Sequence, residues 1–407
     1  MTPTALPRAD RFGALEAVRA VAALAVVVTH VAFQTGATRE GPFAGILARL
    51  DLGVALFFAL SGFLLFLPHV RRWLAGEPAP SARAYLWRRA VRILPAYWLT
   101  VVVCFLVLPG NADVSVADVA RHALLVQGYQ AGTLREGLTQ TWSLATEAAF
   151  YVVLPLLAPL VLGPRRGTPV LRRPVLVLAA LGLLTVAWLL GSRVVDPEGT
   201  LPSGAWLPGT IGWFAAGMLV ALLRAACERD AGAVRWVRDI ASAPFTCWLL
   251  ALFVLLVATT PVAGPRLLLP TTGWEMVWKF ALYGTVALLV LVPLTMVDTT
   301  TSPVPRALSR RPLPWLGELS YSVFLWHLLV LALVYRFTGT ELFAGSFWRV
   351  LGLTLAGTLV VAALSYRLLE RPALRLRSLV PDRPTTAATR QDNANTQAAV
   401  PPLEPAP

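Results

Sequence analysis

Residues 14–33 read ALEAVRAVAALAVVVTHVAF. Twenty helical residues rise about 30 Å, the thickness of a bilayer's hydrocarbon core, so the stretch has the length of a membrane span. It nevertheless carries Glu16, Arg19 and His30. A charge near the bilayer centre costs about 2.5 to 3.5 kcal/mol on insertion scales, so such groups call for a protein interior rather than lipid. Composition extends the reading to the whole chain. Of 407 residues, 57% are hydrophobic and only 14% charged, and the mean hydropathy is +0.65, values that exclude an ordinary soluble protein.

Apolar runs of membrane length recur near residues 14–33, 51–68, 91–109, 140–162, 174–191, 205–223, 243–261, 276–297, 315–335 and 348–368. They predict an all-α, polytopic helix bundle of about ten transmembrane helices occupying residues 13–378. Lys and Arg are about three times as frequent in the connections on the N-terminal side as in those on the other, which puts both termini in the cytoplasm. Residues 1–12 are then a short cytoplasmic N-terminus, with the first span an uncleaved helix rather than a signal peptide. Residues 379–407, nearly free of large apolar side chains, form a disordered cytoplasmic tail with no further catalytic domain. The net charge of +13 reflects this topology and implies no nucleic-acid partner. Cys104, Cys227 and Cys247 are scattered singly, the pattern of neither a metal site nor a disulfide framework.

Four polar clusters interrupt the apolar runs. In the first, Arg19 and His30 are eleven residues apart and so share a helix face with Glu16, about 16 Å apart along the axis. The plainer alternative is a Glu16–Arg19 pair at i, i+3 and a hydrated His30 near the outer surface. The second is WRRAVRILPAYW, where Arg89 and Arg92 project from one face beside Arg88, and guanidinium forks match phosphate oxygens. Arg71, Arg72, Arg165 and Arg166 read as ordinary cytoplasmic anchors, whereas Arg92 lies deeper and needs a partner inside the bundle. The third is QTWSLATEAAFYVVLP, in which Ser143, Glu147 and Tyr151 fall on one face at the depth expected for His30. Trp142 suits either this site or an interfacial aromatic belt. In the fourth, WLGELSYSVFLWH, Ser320 and His327 share a face near Tyr321 and Trp326. As a lone residue, His327 fits a hydrogen-bonded bundle histidine better than a catalyst. Ser61 and Gly62 in LFFALSGFLLF suit close helix packing.

In order along the chain, LEAVRAVAALAVVVTH, GVALFFALSGFLL, RRAVRILPAY, TWSLATEAAFY, LGELSYSVFLWH and YRLLERP resemble the acyltransferase-3 family of integral membrane, O-acetyltransferase-like enzymes, over about Arg11 to Pro372. The resemblance implies transfer of an acyl group, often acetyl, from cytoplasmic acyl-CoA to a hydroxyl of a sugar, glycolipid, polysaccharide or natural product. By position, His30 matches the family's essential histidine, Arg19 its first-span arginine, Arg89 and Arg92 its RxxR pair, and Glu147 the first glutamate of its WSLxxEE segment. Glu16 stands where an Asp is usual, Ala17 and Ala20 replace glycines, and Ala148 and Ala55 replace acidic residues.

The mechanism this implies puts the phosphates of acyl-CoA on Arg89, Arg92 and Arg19, and makes His30 the general base, oriented by Glu147. An acyl-histidine intermediate is the competing route. Trp142, Ser143, Tyr321 and His327 are the expected substrate contacts. Acyl-CoA is a co-substrate; no permanently bound cofactor and no metal are expected. The partners are the bilayer and a hydroxyl-bearing glycan, lipid or small-molecule acceptor, in a bacterial cytoplasmic membrane. A glycan or lipid transporter would also line a path with polar groups, but no inverted repeat or pair of broken helices supports that alternative.

Overall fold

A computed structural model describes residues 13–381 apart from 165–169, 197–201, 231, 233, 267–268, 298–301 and 311. The N-terminal segment 1–12, the tail beyond residue 381, and Arg165 with Arg166 lie outside the described residues. The architecture is all-α. In order, the helices are α1 (Gly13–Gln34), α2 (Ala44–Arg49), α3 (Gly53–Ala75), α4 (Ala82–Val107), α5 (Val116–Ala123), α6 (Thr141–Leu162), α7 (Arg172–Val195), α8 (Leu207–Arg229), α9 (Arg235–Ala241), α10 (Pro244–Ala258), α11 (Gly273–Thr295), α12 (Pro303–Leu308), α13 (Leu313–Thr338) and α14 (Phe347–Ser365). A π-helical turn, Tyr366–Glu370, and the single turn α15 (Arg371–Ala373) follow.

Among the described residues, nine helical runs are long and apolar enough to cross a membrane, and ten if the bent pair α9 and α10 counts as one. That pair is where the expected ten spans need qualification. The segment expected at 243–261 is a helix of only 15 residues, about 22 Å of rise, and it meets α9 at 80°. Pro244 at its first turn disfavours helical geometry in the preceding residue, which breaks the run there. The third span also differs: α4 starts at Ala82, with the Ser81 hydroxyl accepting from Ala84 N–H at 3.4 Å. Arg88, Arg89 and Arg92 consequently lie inside a continuous helix rather than at its entrance.

The inner helices are α1, α3, α8 and α13, each mostly buried, while α7, α11 and α14 turn most of their surface outward. Leu183 of α7, Leu249 and Phe253 of α10, and Val360 of α14 are exposed, as lipid-facing side chains are. Small residues let the inner helices meet. A Cβ on Gly62 would fall 2.1 Å from Phe214 O, and one on Gly217 would fall 1.8 Å from Ala59 O, so α3 and α8 touch backbone to backbone through a glycine from each. Gly317 does the same between α13 and α1, where a Cβ would stand 2.2 Å from Glu16 O. That contact brings the polar stripe of α1 against the fourth sequence cluster.

Candidate active site

Three cavities follow one another through the bundle and share walls. The first, at the end where α1 begins, is lined by Glu16, Arg19, Arg92, Tyr321, Tyr366 and Glu370 among others. Arg19, Arg92 and Tyr321 also line the second, central cavity, together with Ser143, Glu147 and Phe324. Val54 joins that cavity to a third, at the opposite end, which includes Asp51, Trp142, Trp213, Lys279 and Tyr283.

The cavity nearest the start of α1 carries two arginines, Arg19 and Arg92, and three carboxylates, Glu16, Glu318 and Glu370. Arg19 is held by Glu16 at 3.5 Å, the i, i+3 pair expected, yet its Nε is buried without a hydrogen-bond partner. Arg92 lies within electrostatic reach of Arg19, Arg89 and Glu16. Arg89 is set apart: it lines neither of the two cavities that Arg92 lines. Its guanidinium stands 6.0 Å from the centroid of the Tyr151 ring, and its Nε is also buried without a partner. Three residues apart on α4, the two arginines of the RxxR pair thus have different surroundings. Tyr321 donates its hydroxyl hydrogen to Ile93 O at 2.8 Å, which ties α13 to α4 beside Arg92.

In the second half of α1, α1 and α13 bring the two span histidines together; neither imidazole is among the residues that line the three cavities. His327 Nε2 is 3.3 Å from His30 Nδ1, and the ring centroids are 5.1 Å apart. His327 also packs on Phe324, with centroids 6.1 Å apart. His30 Nδ1 is 2.7 Å from Val26 O, and His327 Nδ1 is 2.7 Å from Phe324 O. A carbonyl oxygen only accepts, so each Nδ1 carries the hydrogen. In the neutral pair His327 Nε2 is then a lone pair that shares the Nδ1–H of His30 with Val26 O. The same assignment leaves His30 Nε2 as a lone pair with no hydrogen-bond partner among the described residues. His327, completely buried, is therefore the neighbour of His30 rather than a wall of the central cavity.

Glu147 is elsewhere. Its carboxylate accepts a hydrogen bond from Tyr151 OH at 2.7 Å and another from Ser61 Oγ, and it faces the central cavity with Ser143. The expected Glu147–His30 contact is not formed: α1 and α13 supply the imidazole's partners, and the carboxylate whose charge reaches His30 is Asp51. Equal depth in two spans is not contact, because depth says nothing about which helix faces meet. Trp142 lines the far cavity. Ser143, one residue on, lines the central one and donates to Gln140 O at 3.1 Å.

A family model described as an acyltransferase domain, that of the acyltransferase-3 family, matches residues 12–367. The chain belongs to the acyltransferase-3 family. Among relatives of this acyltransferase-3 chain, the peptidoglycan O-acetyltransferase OatA of Listeria monocytogenes is 24% identical over 377 residues, covering 88% of this chain and 55% of the relative. The exopolysaccharide production protein ExoZ of Rhizobium meliloti is 28% identical over 335 residues, covering 79% and 89% respectively. The acyltransferase MdmB of Streptomyces mycarofaciens is 26% identical over 401 residues, covering 91% and 93%. The chain thus spans little more than half of the first of these relatives and most of the other two. No solved structure matches it.

The acyltransferase-3 motifs converge on the cavity chain, but three polar residues of the site lie outside the expected set. Ser61, taken as a packing residue, donates to Glu147 while its neighbour Gly62 does the packing. Glu370 of YRLLERP accepts from Ser322 Oγ and from Ser365 Oγ at 3.4 Å, and the π-helical turn that ends in Glu370 forms one wall of the cavity nearest the start of α1; such turns are frequent at functional sites. The third is Asp51, whose position just before the GV of the second span was the available signal. Among the described residues no three His, Cys, Asp or Glu side chains converge as a metal site.

Proposed function

We propose that this chain is a membrane O-acyltransferase that moves an acyl group, acetyl in the simplest case, from acyl-CoA to a hydroxyl of a glycan. The observation that carries the reading is the histidine pair. His30 has its Nδ1–H committed to Val26 O and His327, which leaves Nε2 as the basic atom. The relatives' names, an O-acetyltransferase of peptidoglycan and an exopolysaccharide production protein among them, support the choice of a glycan.

The donor's phosphates bind Arg19 and Arg92, with Arg89 in support, and the pantetheine arm extends through the central cavity toward His30. Buried guanidinium nitrogens without partners at Arg19 and Arg89 fit an anionic ligand, because an unsatisfied buried donor is costly and a phosphate oxygen satisfies it. Trp142, Ser143 and Tyr321 line the path of the substrates, and Glu147 holds the central wall through Ser61 and Tyr151.

In the chemical step His30 Nε2 takes the acceptor's hydroxyl proton as the oxygen attacks the thioester carbonyl carbon. The tetrahedral intermediate collapses, the carbon–sulfur bond breaks, and the proton on Nε2 passes to the departing thiolate, so acylated acceptor and CoA thiol leave with atoms balanced. His327 accepts from Nδ1–H throughout and keeps the tautomer that presents Nε2. Both termini lie in the cytoplasm and the bundle in the bacterial cytoplasmic membrane, so a cytoplasmic donor serves an acceptor presented from the outer side. The test is thiol release from acetyl-CoA by the purified, nanodisc-embedded protein with a glycan acceptor. Sequential kinetics supports direct transfer; a ping-pong pattern would replace it with an acyl-histidine intermediate. Glycan-independent thiol balance, with no acylated product, would overturn the reading.

A further inference from the structure

The cavity farthest from the start of α1 has a lining unlike the other two. Trp213 stacks on Phe280 with centroids 5.7 Å apart at 28° and on Tyr283 at 6.3 Å and 23°, and all three rings line the cavity, as does Trp142. Beside this aromatic wall, Lys279 Nζ is 2.6 Å from Asp51 Oδ2, Tyr283 OH donates to the other oxygen of Asp51, and Lys279 Nζ lies 5.3 Å from the centroid of the Tyr283 ring. The Asp51 and Lys279 side chains are 38% and 34% exposed, and both line the cavity. An ion pair serving only to lock α11 to the start of α3 has no reason to stay this open. The cavity has a volume of about 270 Å³, near the lower end of the range of small-ligand sites.

We infer that this cavity is the acceptor subsite, and that its occupant is an uncharged sugar ring. The inference rests on the function proposed above and adds where the acceptor sits and what recognises it. Aromatic faces carry partial negative charge, and the axial C–H bonds of a pyranose present partial positive charge to them, so a flat wall of stacked rings suits a sugar's apolar face. The hydroxyls at the sugar's edge find a carboxylate that accepts and an ammonium that donates. Lys279 is paired with Asp51, and Glu275 on the same wall is a further carboxylate, so the lining offers a phosphate or other anion no unpaired cation.

Lys279 is the sole lysine in the sequence, which makes it a unique reporter. The nanodisc-embedded full chain is treated with an amine-reactive N-hydroxysuccinimide ester, and modification of the Lys279 peptide is followed by mass spectrometry with chitotetraose, maltotetraose or the linear polyol sorbitol present. At least one of the two oligosaccharides should slow modification threefold or more, whereas sorbitol and CoA should leave it unchanged. In parallel, Asp51→Asn should raise the KM for the protecting oligosaccharide at least tenfold without changing the affinity for acetyl-CoA. Because the wild-type labelling needs no variant to fold, equal rates with and without both oligosaccharides overturn the subsite. Thiol release with an unprotected Lys279 would remove the subsite and leave the acyltransferase reading; protection without thiol release would do the reverse.

Discussion

The two ends of the cavity chain differ in what they offer a ligand. Where α1 begins, the wall is built on Arg19 and Arg92 among the carboxylates Glu16, Glu318 and Glu370, with a buried guanidinium nitrogen left unpartnered; at the other end it is built on stacked aromatic rings and a paired Asp51 and Lys279. A transporter carrying one solute across would offer that solute similar chemistry along its path. Two unlike ends suit two unlike substrates, and the central cavity that shares Arg19, Arg92 and Tyr321 with one end and Val54 with the other joins them.

The most damaging change should be at the proposed base. His30→Ala is expected to lower transfer by at least about a hundredfold, the scale of a lost general base, with the bundle still folded by circular dichroism and gel filtration. Retained transfer would mean that the two ends do not serve a reaction at His30. His327→Leu should cost less than His30→Ala, and His327→Gln, whose side-chain oxygen can still accept from His30 Nδ1–H, should recover part of the loss and of the pH–rate profile. Equal rates for the two His327 variants would reduce His327 to a packing residue.

The arginine end can be separated from the aromatic end by kinetics. Arg92→Gln should raise the KM for acyl-CoA about tenfold, as expected for one lost charge-assisted hydrogen bond of about 1.5–3 kcal/mol, with the acceptor KM unmoved. Arg89→Gln should have the smaller effect, because Arg89 stands against Tyr151 and outside the cavities that Arg92 lines. The reverse order would place the phosphates on the other face of α4.

The smallest expected effect concerns the segment that leads into Trp142. Asp118 of α5 accepts from Ser115 and from Arg135 at 2.5 Å, and these bonds hold its carboxyl well below the usual aspartate range. A carboxyl depressed on folding contributes stability that is complete above the unfolded-chain value of about 4 and is lost as the pH falls below it. Acidification below pH 4 should therefore increase backbone hydrogen exchange in residues 113–135 before the spans respond, and Asp118→Asn should remove that pH dependence. Exchange that is indifferent to both would leave this loop without an electrostatic anchor.

Several of these features were readable in the linear sequence. Hydropathy and length determined the all-α membrane class and nine to ten spans; what they did not show is the 80° bend between α9 and the 15-residue α10, where Pro244 disfavours helical geometry in the residue before it. The Glu16–Arg19 pair followed from helical periodicity, since both partners sit on one helix three residues apart. The glycine at 62 was readable as a packing residue, but the serine beside it was not readable as a partner of Glu147, because that bond joins α3 to α6 across 86 positions.

By itself, then, the sequence determined what is local or periodic: the spans, the stripe of polar groups on α1, the arginines of α4 and the motifs that mark the family. Only the tertiary structure decided the pairings between helices. It put His30 against His327 across 297 positions, gave Glu147 to Ser61 and Tyr151, parted Arg89 from Arg92, and assembled Asp51, Lys279 and Tyr283 from two distant segments into one wall. Period and depth follow from the geometry of a single helix. Which faces meet depends on how backbones approach one another, and here that is set by glycines such as Gly62, Gly217 and Gly317, whose effect exists only once a second helix is in contact.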